Sequence, residues 1–109
     1  MVTIKKKEVE NVFKSGKRVS FNYITVVFLK NSIGIPRFAF LAPKKVFKKS
    51  TKRNRVKRLL REALRLLYHR FENLNCDIIL IGKSDLLNLK VYDLEKEIES
   101  ISNFLEREC

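Results

Sequence analysis

Between Pro43 and Phe71 the chain admits little except a helix with two unlike faces. From Lys44 to Arg70 it carries twelve Lys or Arg residues and one acid, Glu62. Ser50 and Thr51 are good capping residues, and the run of Arg, Lys, Leu, Glu and Ala that follows meets no Gly or Pro before Gly82. At helical spacing Val56, Leu59, Leu60, Ala63, Leu64, Leu66, Leu67 and Phe71 share one arc, which must pack on something. On the opposite arc Asn54, Arg58, Arg61 and Arg65 follow one another, with Lys57 beside them.

A basic amphipathic helix can lie on a membrane, enter an apolar groove of a partner, or serve as a solvated exterior. A solvated face normally interleaves acids that pair at i,i+4, and this one has only Glu62. Like charges such as Arg61 and Arg65 repel one another unless a polyanion lies against them. Arg outnumbers Lys within the helix, which suits a bidentate grip on phosphate.

The 109 residues allow one domain with one core, with no room for separate catalytic and binding domains. The net charge of +12 is unevenly spread: residues 1–75 hold 20 basic and 4 acidic side chains, residues 76–109 hold 4 and 8. The first part therefore faces a polyanion and the last part does not. Cys76 and Cys109 stand far apart, so neither a disulfide framework nor a metal knuckle is expected, which fits a reducing cytoplasm. No apolar run approaches a membrane span, and Met1-Val2-Thr3 lacks a signal-peptide core; both point to a protein of the cell interior with no membrane partner.

Along the chain, Thr3 is positioned to cap a first helix bearing Val9, Val12 and Phe13 on one stripe and stopping at Ser15-Gly16. Val19 to Leu29 reads as one central strand, with Phe21, Tyr23, Val27 and Leu29 on one side and Ile24, Val26 and Phe28 on the other. Asn31 to Gly34 turns the chain into a second strand, Arg37 to Ala42, whose faces are Phe38/Phe40 and Ala39/Leu41. Lys44 to Lys49 reads as a loop without Gly whose four lysines are mobile until RNA is present. After the long helix, Cys76 to Ile81 is a strand buried on both faces. From about Val91 a last helix lines up Val91, Leu94, Ile98, Ile101 and Leu105, with Glu95, Glu97, Glu99, Glu106 and Glu108 elsewhere. The order α-β-β-α-β-α gives an α+β fold, a two-layer α/β sandwich in which an antiparallel hairpin joins a third strand through the long helix.

The run Arg53-Asn54-Arg55-Val56-Lys57-Arg58-Leu59-Leu60-Arg61-Glu62-Ala63 resembles the RNR signature of the bacterial ribonuclease P protein subunit. The Lys44-Lys45 pair after the second strand and Phe13 shortly before Gly16 also fit that family, and the likeness spans nearly the whole chain. It implies a left-handed βαβ crossover, where an ordinary parallel connection would be right-handed. It also implies a protein that binds a catalytic RNA subunit and precursor tRNA, while the RNA, holding Mg2+, hydrolyses the bond to the 5′ leader. By this resemblance Arg53, Asn54, Arg55, Lys57, Arg58 and Arg61 take the RNA-binding helix positions and Lys44-Lys45 the Lys pair, and the run of charge extends the candidates to Arg65 on the helix and to Lys48, Lys49 and Lys52 before it. A leader cleft between the first helix and the sheet would take Phe13. Val9 stands where the family has a second aromatic, so Tyr23, Phe28 or Phe40 are candidates to supply the missing ring.

Nothing in the residues themselves offers protein-borne catalysis. His69 is the only histidine, most acids lie in the last third, and there is no Gly-rich phosphate loop or Cys/His ligand set. No catalytic residue, metal ligand or protein-bound cofactor is expected. A ribosomal or RNA-chaperone protein would share the charge and size. A DNA regulator fits less well, because no short helix precedes the basic one to form a helix-turn-helix.

Overall fold

The computed structural model describes residues 1–109 and is organised on a five-stranded sheet of order β1-β4-β5-β3-β2. In chain order the elements are β1 (Val2–Thr3), α1 (Lys6–Ser15), β2 (Lys17–Ser20), β3 (Ile24–Lys30), β4 (Arg37–Leu41), α2 (Ser50–Leu66), β5 (Cys76–Gly82) and α3 (Val91–Glu108). Short 3-10 helices span Tyr68–Arg70 and Ser84–Asn88. The fold is mixed α+β: α2 and α3 form a helical layer on one face of the sheet, and α1 lies on the other.

β5 lies in the middle because it is apolar in both directions. Ile78 and Leu80 point into the cluster under α2 and α3, while Ile79 and Ile81 join the cluster under α1. β3 has the same property, with Ile24, Val26 and Phe28 on the α2/α3 side and Val27 and Leu29 on the α1 side. In β4 the expected alternation holds: Phe38 and Phe40 are buried under α2 and α3, and Ala39 and Leu41 face α1. Gly82 ends β5 where α2 passes close, since a Cβ there would stand 2.6 Å from Val56 Cγ1. Gly16 allows a similar approach after α1, where a Cβ would meet the Val12 and Phe28 carbonyl oxygens at 2.4 and 2.7 Å.

Several expectations are corrected. The span Val19–Leu29 is two strands: the chain reverses at Phe21-Asn22-Tyr23, and β2 pairs back on β3 from Lys17↔Phe28 to Ser20↔Thr25. Phe21 and Tyr23 consequently leave the alternation and pack with the α2/α3 cluster. β3 and β4 are not a hairpin, because β5 inserts between them, parallel to β4 and antiparallel to β3. Periodicity assigns faces but not strand neighbours, and the most apolar strand takes the most buried place.

Thr3 belongs to edge strand β1, and Lys5 precedes α1 as its cap residue. Ser50 is already helical, with Lys49 before it and no side-chain capping bond. Leu66, expected on the core arc, is 47% exposed, because α2 ends there and a 3-10 turn re-aims the chain to bury Phe71. Val91 is likewise exposed at the start of α3, whereas Glu97 is buried. Its carboxylate accepts the Tyr23 N–H at 2.7 Å and so ties the β2–β3 turn to α3.

The two cysteines, expected to be unpaired, form a Cys76–Cys109 disulfide with a Cα–Cα distance of 6.0 Å. Spacing along the chain does not reveal that α3 returns its last turn to the first residue of β5. Phe28 and Phe104 meet edge to face with ring centroids 5.8 Å apart, securing the same return.

Candidate nucleic-acid interface

The carboxyl ends of β4 and β5 open toward the start of α2, and the candidate residues converge there. The backbone of the Lys44–Lys49 loop is held in three ways. The Pro43 carbonyl accepts the N–H groups of Val46 and Phe47 at 3.1 and 2.9 Å. Phe47 is buried in the core. Arg53 reaches back and donates from Nη1 to the carbonyls of Phe47 and Lys48, both at 2.9 Å. Lys44, Lys45, Lys48 and Lys49 thus project as exposed cations from a folded turn.

The expected cationic helix falls into two electrostatic parts. No Lys or Arg from Lys44 to Arg61 makes an ion pair. Arg55 and Arg58 are exposed, Lys57 is half-buried, and the Arg61 guanidinium lies 5.4 Å from the centroid of the Phe40 ring. Asn54 and Lys52 are also exposed. Beyond them the charge is internally matched: Arg65 pairs with Glu62 at 2.5 Å, and Arg70 with Glu99 at 3.3 Å. The Arg65 guanidinium holds the Glu62 carboxyl below its ordinary range. Arg65, expected to join the binding set, is therefore partly neutralised by its neighbour.

On the α1 side of the sheet is a cavity of about 410 Å3, lined by Phe13, Arg18, Leu41, Pro43, Lys57 and Ile81 among others. Arg18 lies over the Phe13 ring at 5.9 Å. Phe13 and Val9 pack together on the small cluster under α1. Tyr23, Phe28 and Phe40 do not join them, because all three belong to the opposite face. The missing ring is not replaced: the open wall is aliphatic, from Leu41 and Ile81, with cations at its rim. Arg18 was missed because β2 was not separated from β3; once it pairs with Val27, its place on the α1 side follows. Lys57 belongs both to α2 and to this cavity, so the cationic helix and the cleft are continuous.

At the other end of the same strands, Arg37 bridges Asp77 at 2.6 Å and Glu8 of α1 at 2.7 Å, and Asn31 donates to Asp77 at 2.9 Å. Burial alone would raise the Asp77 pKa, but the bonds from Arg37 and Asn31 outweigh it and hold the carboxyl below its ordinary value. These acids are committed to holding α1 on the sheet. No three His, Cys, Asp or Glu side chains are grouped as a metal site, and no helix is long and apolar enough to cross a membrane. His69 is exposed on the 3-10 turn after α2.

The mixed α+β fold thus carries exposed, unpaired cations on the first part of α2 beside a cleft with one aromatic side chain. The sequence profile of the family described as Ribonuclease P matches residues 3–106. The Ribonuclease P protein component of Fusobacterium nucleatum is 39% identical over 106 residues, covering 93% of this chain and 94% of that protein. The namesake from Pelotomaculum thermopropionicum is 35% identical, covering 94% and 88%. Among solved structures, the RNase P protein of Thermotoga maritima superimposes with a TM-score of 0.80 at 24% identity, covering 98% of this chain and 97% of that one. That of Staphylococcus aureus gives 0.75 at 20% identity, covering 93% and 91%. The chain belongs to the ribonuclease P protein family.

Proposed function

We propose that this protein is the RNA-binding subunit of a ribonuclease P that removes the 5′ leader from precursor tRNA in the cytoplasm. The observation that carries the reading is the continuity, through Lys57, between the unpaired cations of the first part of α2 and a cleft holding one accessible aromatic. The exposed charges of the Lys44–Arg61 segment bind the catalytic RNA by displacing counterions from its phosphates. The cavity beside Phe13 receives the single-stranded leader, with one base stacked on the ring and the rest held by aliphatic and cationic contacts. Hydrolysis belongs to the RNA subunit, which holds the Mg2+. What supports this is that the cleft is lined by apolar and cationic side chains, which suit binding of a polyanion.

The test is reconstitution. Protein freed of nucleic acid should leave precursor tRNA intact in magnesium buffer, and adding the ribonuclease P RNA transcribed from the same genome should produce cleavage at the leader junction. Cleavage by the protein alone, surviving micrococcal nuclease treatment, would overturn the division of labour.

A further inference from the structure

β2 is the outermost strand of the sheet, pairs with β3 alone, and keeps its side chains mostly exposed. It nevertheless carries Arg18, whose guanidinium stands over the Phe13 ring at the rim of the cleft. An edge strand of four residues with so little buried surface opens easily, so its place depends on the turn that follows it. Between that turn and α3 is a concavity of about 400 Å3, lined by Ser20, Phe21, Tyr23 and Glu97 among others. Apolar packing at the turn comes from Tyr23 and from Phe21, which meets Phe104 of α3 edge to face at 6.0 Å.

The polar groups of the turn are held by two charged side chains from outside the β2–β3 hairpin. Glu97 of α3 is buried, and its carboxylate accepts the Tyr23 N–H at 2.7 Å. Lys83, just past the end of β5, donates its ammonium to the Ser20 hydroxyl and the Phe21 carbonyl. Its N–H also donates to the Tyr23 carbonyl at 3.0 Å. Hydrogen bonds with one ionised partner are the stronger kind, and a buried carboxylate is costly unless it makes one. Ser20 and Arg18 stand at alternate positions of β2 and so share a face. Holding Ser20 therefore holds the face that turns Arg18 toward Phe13.

We infer that Glu97 and Lys83 are positioning residues for the leader cleft: one from the opposite face of the sheet, the other from the end of β5, they fix the β2–β3 turn and through it the place of Arg18 across from Phe13. Neither side chain lines the cleft itself. The inference rests on the proposed leader binding and gives the acidic helix α3 a part in it.

The test uses the assembled enzyme with Glu97→Leu, which keeps the bulk and removes the acceptor, and Glu97→Gln, which keeps an acceptor of the same reach. Lys83→Met keeps the stem without the ammonium, and Arg18→Ala removes the group being positioned. For each, affinity for precursor tRNA is divided by affinity for mature tRNA, and affinity for the ribonuclease P RNA is measured beside it. Glu97→Leu and Lys83→Met should each lower the ratio about three- to tenfold, in the range of one cation–π or stacking contact. Glu97→Gln should retain most of the ratio, and neither loss should deepen once Arg18→Ala is present. Ribonuclease P RNA affinity of Glu97→Leu should stay at its native value. Lys83→Met, at a half-buried position, decides the same question if Glu97→Leu does not fold. Equal weakening of both tRNAs would mark a packing role and overturn the inference. So would a native ratio in Glu97→Leu, a Gln variant no better than the Leu one, or a loss that multiplies with that of Arg18→Ala. If Arg18→Ala and Phe13→Ala themselves leave the ratio at its native value, the leader reading fails and takes the inference with it.

Discussion

Under α2 and α3 the sheet buries a single cluster of 21 residues, whereas under α1 it buries only four. The reason is length and number: helices of 17 and 18 residues cover one face, and one helix of 10 covers part of the other. The closed face is held by apolar burial and a disulfide. The open face is held by a small apolar contact and the Glu8–Arg37–Asp77 cluster, and its uncovered part is the cleft beside Phe13. A domain this small cannot close both faces and still offer a concave surface, so stability is concentrated on one side and binding on the other.

The largest effect should come from the closed face. Phe38 is fully buried against Tyr68 and Phe71, and Phe38→Ala should lower unfolding free energy by about 3–5 kcal/mol in denaturant titration. A loss under 1 kcal/mol would mean that this face does not dominate stability. Next is the disulfide, which closes a loop of sequence separation 33. Its reduction, or Cys109→Ser, should cost about 3–4 kcal/mol on loop-entropy grounds while leaving RNA affinity unchanged in the variant that remains folded.

The open face should respond in binding more than in stability. Phe13→Ala should weaken the assembled enzyme's affinity for precursor tRNA by about 1–3 kcal/mol, the value of one stacked base, and leave mature tRNA affinity nearly unchanged. Equal weakening of both would return Phe13 to a packing role, with no second aromatic on that face to replace it.

The smallest effect is a change of slope with pH. The Asp77 pKa is depressed in the fold, so its contribution is complete above the ordinary carboxylate range and is lost as pH falls through its lowered value. Asp77→Asn should therefore be less stable near neutrality and show a shallower acid decline, the difference bounded by about 1.4 kcal/mol per pH unit for one proton. Glu97 acts in the opposite sense. Burial raises its pKa against the pull of backbone N–H groups and Lys83, so its contribution is greatest in acid and is lost as pH rises through that raised value. Hydrogen exchange should show α1 loosening before α3 on acidification. The reverse order would contradict the assignment of the ionic cluster to α1.

What could be read from residues alone was whatever depends on neighbours three or four positions away. The core arc from Val56 to Leu64, the alternation of β4, the two-sided burial of β5, the unpaired charge before Glu62 and the placement of Phe13 on the α1 stripe all follow from short-range periodicity. The family likeness rested on the same local run around Arg53 to Ala63. Tertiary structure decided what depends on distant segments meeting. It inserted β5 between β3 and β4, split Val19–Leu29 into a hairpin, and joined Cys76 to Cys109. It also turned Phe28 and Phe40 away from Phe13 and enlisted Arg53 as a strap across Phe47 and Lys48. Period-two alternation tells which residues share a side of one strand, but which side carries which helix is set by the crossover through α2 and the burial competition among all strands at once.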